Sequence, residues 1–237
     1  MCGRGRLSSD VSEIKVAFRI PPERPTPNFP PSWNVAPTDS LPAVRFDRKA
    51  GQRGLDLLRW GLIPHWASDI KVGFSNINAK SEGIETKRAF RDAFERRRCL
   101  VPVDKFYEWK KTATGKQPYA IGLKGGGLMA LAGVWENWKS SADEWVRSFA
   151  IVTTEPNELC AELHNRMPVV LAPETWPTWL GEEPTQIFAR PLPFRRHDRM
   201  ASQSARRQCK EQRSVVDRAD CLAVSERRCE LRPRMLR

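Results

Sequence analysis

The second residue of the chain, Cys2, is the side chain best suited to covalent chemistry. If the initiator Met1 is removed, Cys2 carries a free α-amine and a thiol on adjacent carbons. Such a 1,2-aminothiol condenses with an aldehyde, because the amine forms an imine and the thiol then closes a thiazolidine ring on the same carbon. The α-amine has a pKa of roughly 7.7–8.0, so a useful fraction is nucleophilic near neutral pH. The alternative is an incidental cysteine on a frayed terminus.

Two residues farther along the chain could move protons. Glu108 lies in an aromatic run, and strand alternation places it on the same face as Phe106. Such a glutamate lies either at a solvent-exposed sheet edge or in a buried site with a raised pKa. His164 is one of three histidines and lies at a predicted helix-to-strand junction. It is a candidate general acid, with a packing or capping role as the alternative.

Two further segments contain groups that could hold a nucleic acid. Segment 75–80 includes Asn78 and Lys80, which could bind a phosphate or an oxyanion, or could belong to a solvated loop. Segment 60–66 is rich in tryptophan, and Trp66 is of the type that stacks on unpaired bases. A core position is the alternative for these tryptophans.

Short elements must position these residues. Apolar patterns and turn signals predict strands over 41–46, 55–63, 99–103, 106–109, 118–123, 128–135 and 146–153. They predict helices over 8–19, 84–97, 156–163 and 173–181. Segment 21–37 contains seven prolines and is predicted to be an ordered loop. Many short strands with a few helices between them indicate an α+β fold around a mainly antiparallel sheet.

Composition divides the chain into a domain, 1–185, and a tail, 186–237. The tail has 14 Lys and Arg against 6 Asp and Glu and lacks hydrophobic periodicity, whereas the domain has 26 against 22. The domain would therefore need a local cationic groove to bind nucleic acid. The basic tail indicates either a nucleic-acid arm or, as we prefer, a disordered or non-native end.

Targeting signals and cysteine spacing indicate the compartment. No apolar run approaches the ~20 residues of a membrane span, and the N-terminus lacks an apolar signal segment. We therefore expect a cytoplasmic protein without a membrane partner. The six cysteines show no CxxC pair and no zinc-ligand spacing. We interpret them as free thiols and expect neither a metal nor a cofactor.

Six motifs occur in one order along the chain: Met1-Cys2-Gly3-Arg4, 33–38, 60–64, 78–79, 106–109 and 164–168. Together they closely resemble the SOS-response-associated peptidase (SRAP) family over residues 1–185. That family consists of abasic-site processing proteins that become covalently linked to DNA. The resemblance implies a barrel-like core of mainly antiparallel strands with peripheral short helices. It also implies a monomer that binds single-stranded DNA containing abasic sites.

The resemblance implies roles for individual residues. Cys2 would be the nucleophile that closes on C1′ of the ring-opened deoxyribose. Glu108 would shuttle protons, and His164 would protonate the sugar ring oxygen. Asn78 would orient the sugar or the terminal amine. The implied DNA-binding positions are Arg4, Asn34, Pro37, Trp66, Lys80, Arg88, Thr153 and Met167. Lyase-like activity and self-removal of Met1 are also implied.

Three departures from the family pattern change these expectations. Lys80 stands where the family usually has Arg, and it loses bidentate phosphate geometry. Lys105 stands where a Gly commonly precedes the aromatic-Glu motif. The family's usual closing segment is missing, and a one-nucleotide shift over residues 197–220 permits a sequence like it. We hypothesise a frameshift near residues 182–196, which resequencing the gene would test.

Two other functions remain open from the sequence. One is a cysteine or N-terminal-nucleophile peptidase that uses Cys2, His164 and Glu108. The other is a non-catalytic module that binds single-stranded DNA and has lost the chemistry of Cys2.

Overall fold

Strands dominate the part of the chain that the computed structural model describes, residues 2–113 and 115–182. The strands there are β1 (Gly5–Leu7), β2 (Ser32–Val35), β3 (Ser40–Asp47), β4 (Gln52–Trp60), β5 (Asn78–Lys80), β6 (Arg98–Val103), β7 (Lys105–Thr112), β8 (Gly115–Ile121), β9 (Met129–Lys139), β10 (Trp145–Thr154), β11 (Met167–Pro168) and β12 (Val170–Leu171). The α-helices are α1 (Val11–Ala17), α2 (Arg91–Arg96), α3 (Glu158–Ala161) and α4 (Trp176–Leu180). Two 3₁₀ helices span Ile70–Ser75 and Pro173–Thr175. The predicted tail, 186–237, lies outside the described residues.

Five strands close into a ring. β10 pairs in parallel with β4, and the antiparallel pairs β4–β3, β3–β6, β6–β9 and β9–β10 complete the circuit. Because the five strands form a closed ring, each of them has a paired neighbour on both sides. The predicted α+β fold, mainly antiparallel and barrel-like with short peripheral helices, is confirmed.

A second sheet carries the N-terminus to the barrel. Its strand order is β2-β1-β7-β8, and Gly5 lies opposite Phe106 in the β1–β7 pair. Asp104 fixes the chain just after β1, because its carboxylate accepts hydrogen bonds from Ser8 and Ser9. This short strand therefore holds Cys2 in a defined place beside β7.

The predicted helices are present but shorter. Asp10 and Glu13 form a capping box at the start of α1. The helix predicted over 84–97 is wrong in its first half, which forms turns that begin at Gly83, a residue at φ +74°. The hydroxyl of Thr86 donates to the carbonyl of Gly83 and so stabilises a turn in place of a helix.

All seven predicted strands are present, with ends shifted by at most four residues. The prediction of an irregular loop over 21–37 is wrong at β2. Those four residues contain no proline, and they pair with β1, where Gly5 lies opposite Val35. β5, β11 and β12 have two or three residues each, too few for a periodic signal.

Two hydrophobic clusters fill the interior. One lies under the helices and includes the stacked rings of Phe18 and Trp176, whose centroids are 4.8 Å apart. The other lies where the four-stranded sheet meets the barrel, and it contains Cys2, Phe106 and Phe149. Among the described residues, none of the helices is long and apolar enough to cross a membrane.

Candidate active site and nucleic-acid interface

Cys2 is almost completely buried in the second cluster, with 1% of its surface exposed. Its carbonyl accepts a hydrogen bond of 2.8 Å from Asn78 Nδ2. Burial raises the pKa of the Cys2 thiol well above its ordinary value, and the nearby carboxylate of Glu108 raises it further. The thiol is therefore protonated at neutral pH, and an ionised partner must accept its proton before sulfur can act as a thiolate.

Glu108 is buried, with only 3% of its surface exposed, and so does not lie at a solvent-exposed sheet edge, the other position that the sequence left open. It shares the inward face of β7 with Phe106, as strand alternation predicts. Burial raises the pKa of Glu108, while the positive amino terminus and His164 oppose this shift. A carboxyl group whose pKa lies nearer to neutrality can both accept and return a proton.

Asn78 is fixed at the start of β5, which pairs in parallel with β10 and places Asn78 opposite Ile151. The preceding residue is also fixed, because Trp60 Nε1 donates to the carbonyl of Ile77 at 2.9 Å. The Oδ1 atom of Asn78 is buried and accepts no hydrogen bond from the residues that the structure describes. That oxygen is therefore available to an amine or hydroxyl that enters the site.

His164 follows α3, whose first turn is capped by Asn157. The backbone N–H of Arg166 donates to His164 Nδ1 at 3.0 Å, so the neutral ring carries its proton on Nε2. The guanidinium of Arg166 forms two hydrogen bonds with Glu82 and also donates to the carbonyl of Thr153. These interactions fix the turn that orients the imidazole.

Thr153 and Met167, predicted to bind DNA, lie in the framework of the site. Thr153 is fully buried, and its carbonyl accepts from Ser81 N and from Arg166. Met167 is 7% exposed, and its sulfur accepts from the backbone of Asn157 at 3.2 Å. Their predicted contact with DNA requires a lesion that enters the buried centre.

The other predicted DNA-binding residues lie closer to solvent. Arg4 Nη1 donates to the exposed Asn34 at 2.8 Å, while Pro37 is half-buried and Lys80 is exposed. Trp66 is 42% exposed, and the guanidinium carbon of Arg88 lies 4.3 Å from the centroid of its ring. The sequence alternative of a core position is therefore wrong for Trp66.

Strand β9 fixes both neighbours of Trp66. His65 Nδ1 lies 3.4 Å from the buried carboxylate of Glu136, and Trp138 Nε1 donates to the carbonyl of Ala67 at 2.6 Å. The indole is thus presented on a fixed support, and we call Trp66 with Arg88 the platform.

A comparison with protein families fits this arrangement. The family model described as SOS response associated peptidase (SRAP) matches residues 1–208. The chain belongs to the SRAP family.

Named relatives support the family assignment, and a solved structure is similar in fold. The chain is 40% identical over 186 residues to the abasic site processing protein YoqW of Bacillus subtilis, covering 78% of this chain and 82% of that protein. It is 36% identical over 207 residues to the abasic site processing protein YobE of Bacillus subtilis, covering 86% and 94%. A crystal structure of a protein from Bordetella bronchiseptica is similar in fold, with a TM-score of 0.70 and 23% identity over 84% of this chain and 97% of that one. This protein is thus a SRAP-family member whose relatives are named for the handling of abasic sites.

The SRAP site contains residues that the sequence did not indicate. Cys160 is buried close enough to Cys2 and Glu108 to affect them electrostatically, and burial raises the pKa of Cys160 to about 12. Its position four residues before His164 on a predicted helix was the available signal. Arg166 lies inside a recognised motif, but its ion pair with Glu82 joins segments 84 residues apart.

Proposed function

We propose that this SRAP-family protein captures abasic sites in single-stranded DNA through a thiazolidine link to Cys2, and so shields the lesion. The observation that supports this best is the burial of Cys2 beside Glu108, with Asn78 bonded to its carbonyl and His164 close to the carboxylate. The names of its relatives, abasic site processing proteins, identify the kind of lesion.

The amine reacts first in this mechanism. After loss of Met1, the α-amine of Cys2 attacks C1′ of the ring-opened sugar, and the carbonyl oxygen leaves as water when the imine forms. His164 carries its proton on Nε2, so it can donate a hydrogen bond to the sugar ring oxygen and assist ring opening, in which that oxygen takes up the proton that the C1′ hydroxyl releases as the aldehyde forms. Asn78 Oδ1 can accept a hydrogen bond from the amine and orient its lone pair.

The thiol then closes the ring. Glu108 accepts the thiol proton, the sulfur attacks the imine carbon, and the imine nitrogen takes up a proton. No oxidant or cofactor enters the balance. The raised pKa values of the Cys2 thiol and the Glu108 carboxyl suit this order, because both groups share the same buried surroundings.

The burial of the Cys2 thiol counts against a general cysteine peptidase. A catalytic thiolate normally has a pKa lowered by nearby positive charge, whereas burial raises the pKa of Cys2. An aminothiol that reacts first through nitrogen does not need a preformed thiolate.

The experiment uses protein whose loss of Met1 is confirmed by intact mass. It is incubated with single-stranded DNA carrying one abasic site and resolved on a denaturing gel. A heat-resistant crosslink that is lost in Cys2→Ser and retained in Cys99→Ser is expected. Cys99 is the matched control because it is equally buried but lies in β6.

Other outcomes would favour the competing functions. Salt-sensitive DNA binding without any crosslink would indicate a non-catalytic binding module. Cleavage of unrelated peptides that depends on Cys2 would indicate a peptidase.

A further inference from the structure

The outward face of the four-stranded sheet carries two pairs of like charges. Arg6 lies directly opposite Lys105 across β1 and β7, and Lys111 lies opposite Lys116 across β7 and β8. Like charges placed directly opposite each other destabilise a sheet. The fold therefore has an electrostatic cost on this face, which a bound anion would offset.

Two aromatic side chains lie between these pairs. Tyr107 and Trp109 point to the same side of β7 as Lys105 and Lys111, since side chains alternate along a strand. Trp109 is 37% exposed. We call Arg6, Lys105, Tyr107, Trp109, Lys111 and Lys116 together the β7 stripe.

Few acidic groups lie near the β7 stripe. Within the described residues of its four strands, the only acid is Glu108, which is buried on the opposite face. Asp104 precedes β7 and forms an ion pair of 3.9 Å with Arg6 Nε, so it offsets part of the positive charge at the Arg6–Lys105 end and leaves the Lys111–Lys116 end unaffected. Burial and then the charge of Arg6 lower the pKa of Lys105, while the carboxylate of Asp104 opposes this shift.

The stripe is continuous with the site. The backbone N–H of Tyr107 donates to the carbonyl of Arg4 at 3.0 Å, so Arg4 lies beside the middle of the stripe. Arg4 in turn bonds Asn34, another predicted DNA-binding residue. From Lys105 to Lys111 the strand extends for about 20 Å at ~3.3 Å per residue.

We propose that the β7 stripe binds the part of a single DNA strand that continues beyond the abasic site, an inference that rests on the proposed function. Cationic groups that alternate with a half-buried tyrosine and an exposed tryptophan suit a flexible strand, whose phosphates and bases both need partners. Lys105, which departs from the family's usual glycine, becomes one of the phosphate-binding groups. An acidic protein surface would use the charges and leave Trp109 without a base on which to stack.

The test compares two double variants that remove the same charge. Lys111→Gln with Lys116→Gln removes one pair of the stripe, and Lys49→Gln with Lys139→Gln removes two exposed lysines at other hairpins. Fluorescence anisotropy measures the Kd for a lesion-free single strand of about 20 nucleotides over a range of salt. The stripe variant is expected to lower the slope of log Kd against log salt by about 0.7 for each phosphate that the protein no longer neutralises. The control variant is expected to keep the wild-type slope.

A stripe variant with the wild-type slope would overturn the proposal. Loss of binding to polyglutamate or to anionic vesicles, with DNA binding unchanged, would also overturn it. Crosslinking of a wild-type sample to a very short abasic oligonucleotide tests the proposed function separately. If the wild type does not crosslink but the stripe variant has a lower slope, the proposed function fails and the stripe still binds DNA.

Discussion

The centre around Cys2 is closed to water, whereas the platform of Trp66 and Arg88 is open to it. In the centre, Cys2 and Glu108 are 1% and 3% exposed, and both have pKa values raised by burial. On the platform, Trp66 is 42% exposed and Arg88 is also exposed. The low dielectric of the centre strengthens the electrostatic interactions between its charged groups, while water and salt weaken such interactions on the platform.

Because of this contrast in solvent exposure, substitutions in the two regions should have different effects. A substitution in the centre should change the rate of the chemical steps and the pH dependence of stability. A substitution on the platform should change affinity and its dependence on salt. The predictions below test this division.

After the complete loss expected from Cys2→Ser, the largest effect is expected from Glu108→Gln. The amide cannot accept the thiol proton, so we expect the crosslinking rate at saturating DNA to fall roughly 10²- to 10⁴-fold. Single-turnover gels provide the measurement, and the Kd for lesion-free DNA should not change. A variant that crosslinks at the wild-type rate would remove Glu108 from the mechanism.

Glu108→Gln should also stabilise the fold at neutral pH. Since burial raises the pKa of Glu108 in the folded state, the folded protein retains a proton that the unfolded chain has released above the ordinary value of 4.5. The stability that the wild-type carboxyl confers is therefore present below pH 4.5 and is lost as pH rises from 4.5 through the raised pKa of the folded state. We expect the variant to gain on the order of 1 kcal/mol in the free energy of unfolding near pH 7. The gain should vanish near pH 4 in urea titrations.

Glu82→Gln is the matched control for this pH dependence. Hydrogen bonds from Arg166 lower the pKa of Glu82, so its contribution to stability is lost as pH falls. The variant should therefore be less stable than the wild type at neutral pH. A change of the same sign in both variants would contradict the assignment of burial as the cause at Glu108.

Arg166→Met should reduce the rate without abolishing it. The guanidinium fixes the turn that holds His164 Nδ1 against a backbone N–H, and small displacements of a catalytic group are costly. We expect a loss of roughly 10- to 100-fold in crosslinking rate. The ¹⁵N spectrum of His164 should also show a mixture of neutral tautomers, and an unchanged spectrum would contradict this positioning role.

Trp66→Ala should act on affinity. Loss of one stacked base costs ~1–3 kcal/mol, so we expect Kd to rise by about tenfold or more while the rate at saturating DNA is maintained. Trp145→Ala is the matched control, because Trp145 is 67% exposed and Lys139 lies 5.7 Å from its ring. Equal losses in the two variants would show that exposed tryptophans bind DNA without a specific platform.

The smallest effect is expected from Lys80→Arg. A guanidinium restores the bidentate phosphate geometry that the lysine lacks, so we expect Kd to fall about two- to threefold. The crosslinking rate at saturating DNA should not change. A change in that rate would show that residue 80 takes part in the chemical steps, and it would contradict the separation of roles between centre and surface.

The identity of the reactive groups could be predicted from the sequence, whereas their burial and packing partners could not. Cys2 could be recognised from its chemistry, and alternation correctly placed Glu108 on the face of Phe106. The burial of Glu108 could not be decided from the chain, because it depends on the packing of the second sheet against the barrel. The second sheet itself depends on a long-range pairing, since β1 pairs with β7 across about one hundred residues of sequence.

The platform and the framework show the same limit. A tryptophan at position 66 could be assigned to the core or to the surface from the sequence, and only its 42% exposure in the fold decides between them. Thr153 and Met167 were assigned to DNA through family resemblance, yet both are buried. Short strands such as β5 have too few residues to show a periodic pattern. Their position is set by pairing with a neighbouring strand, which for β5 is β10.

Burial of Cys2 has a consequence for the timing of synthesis. Its cluster includes Phe149 and Cys160, so the nucleophile cannot be enclosed until most of the domain has left the ribosome. At 5–20 residues per second, the first 160 residues take roughly 8–32 s to emerge. Under the proposed function, the Met1–Cys2 bond would be accessible to processing during that interval, and folding would afterwards enclose the freed aminothiol away from stray aldehydes.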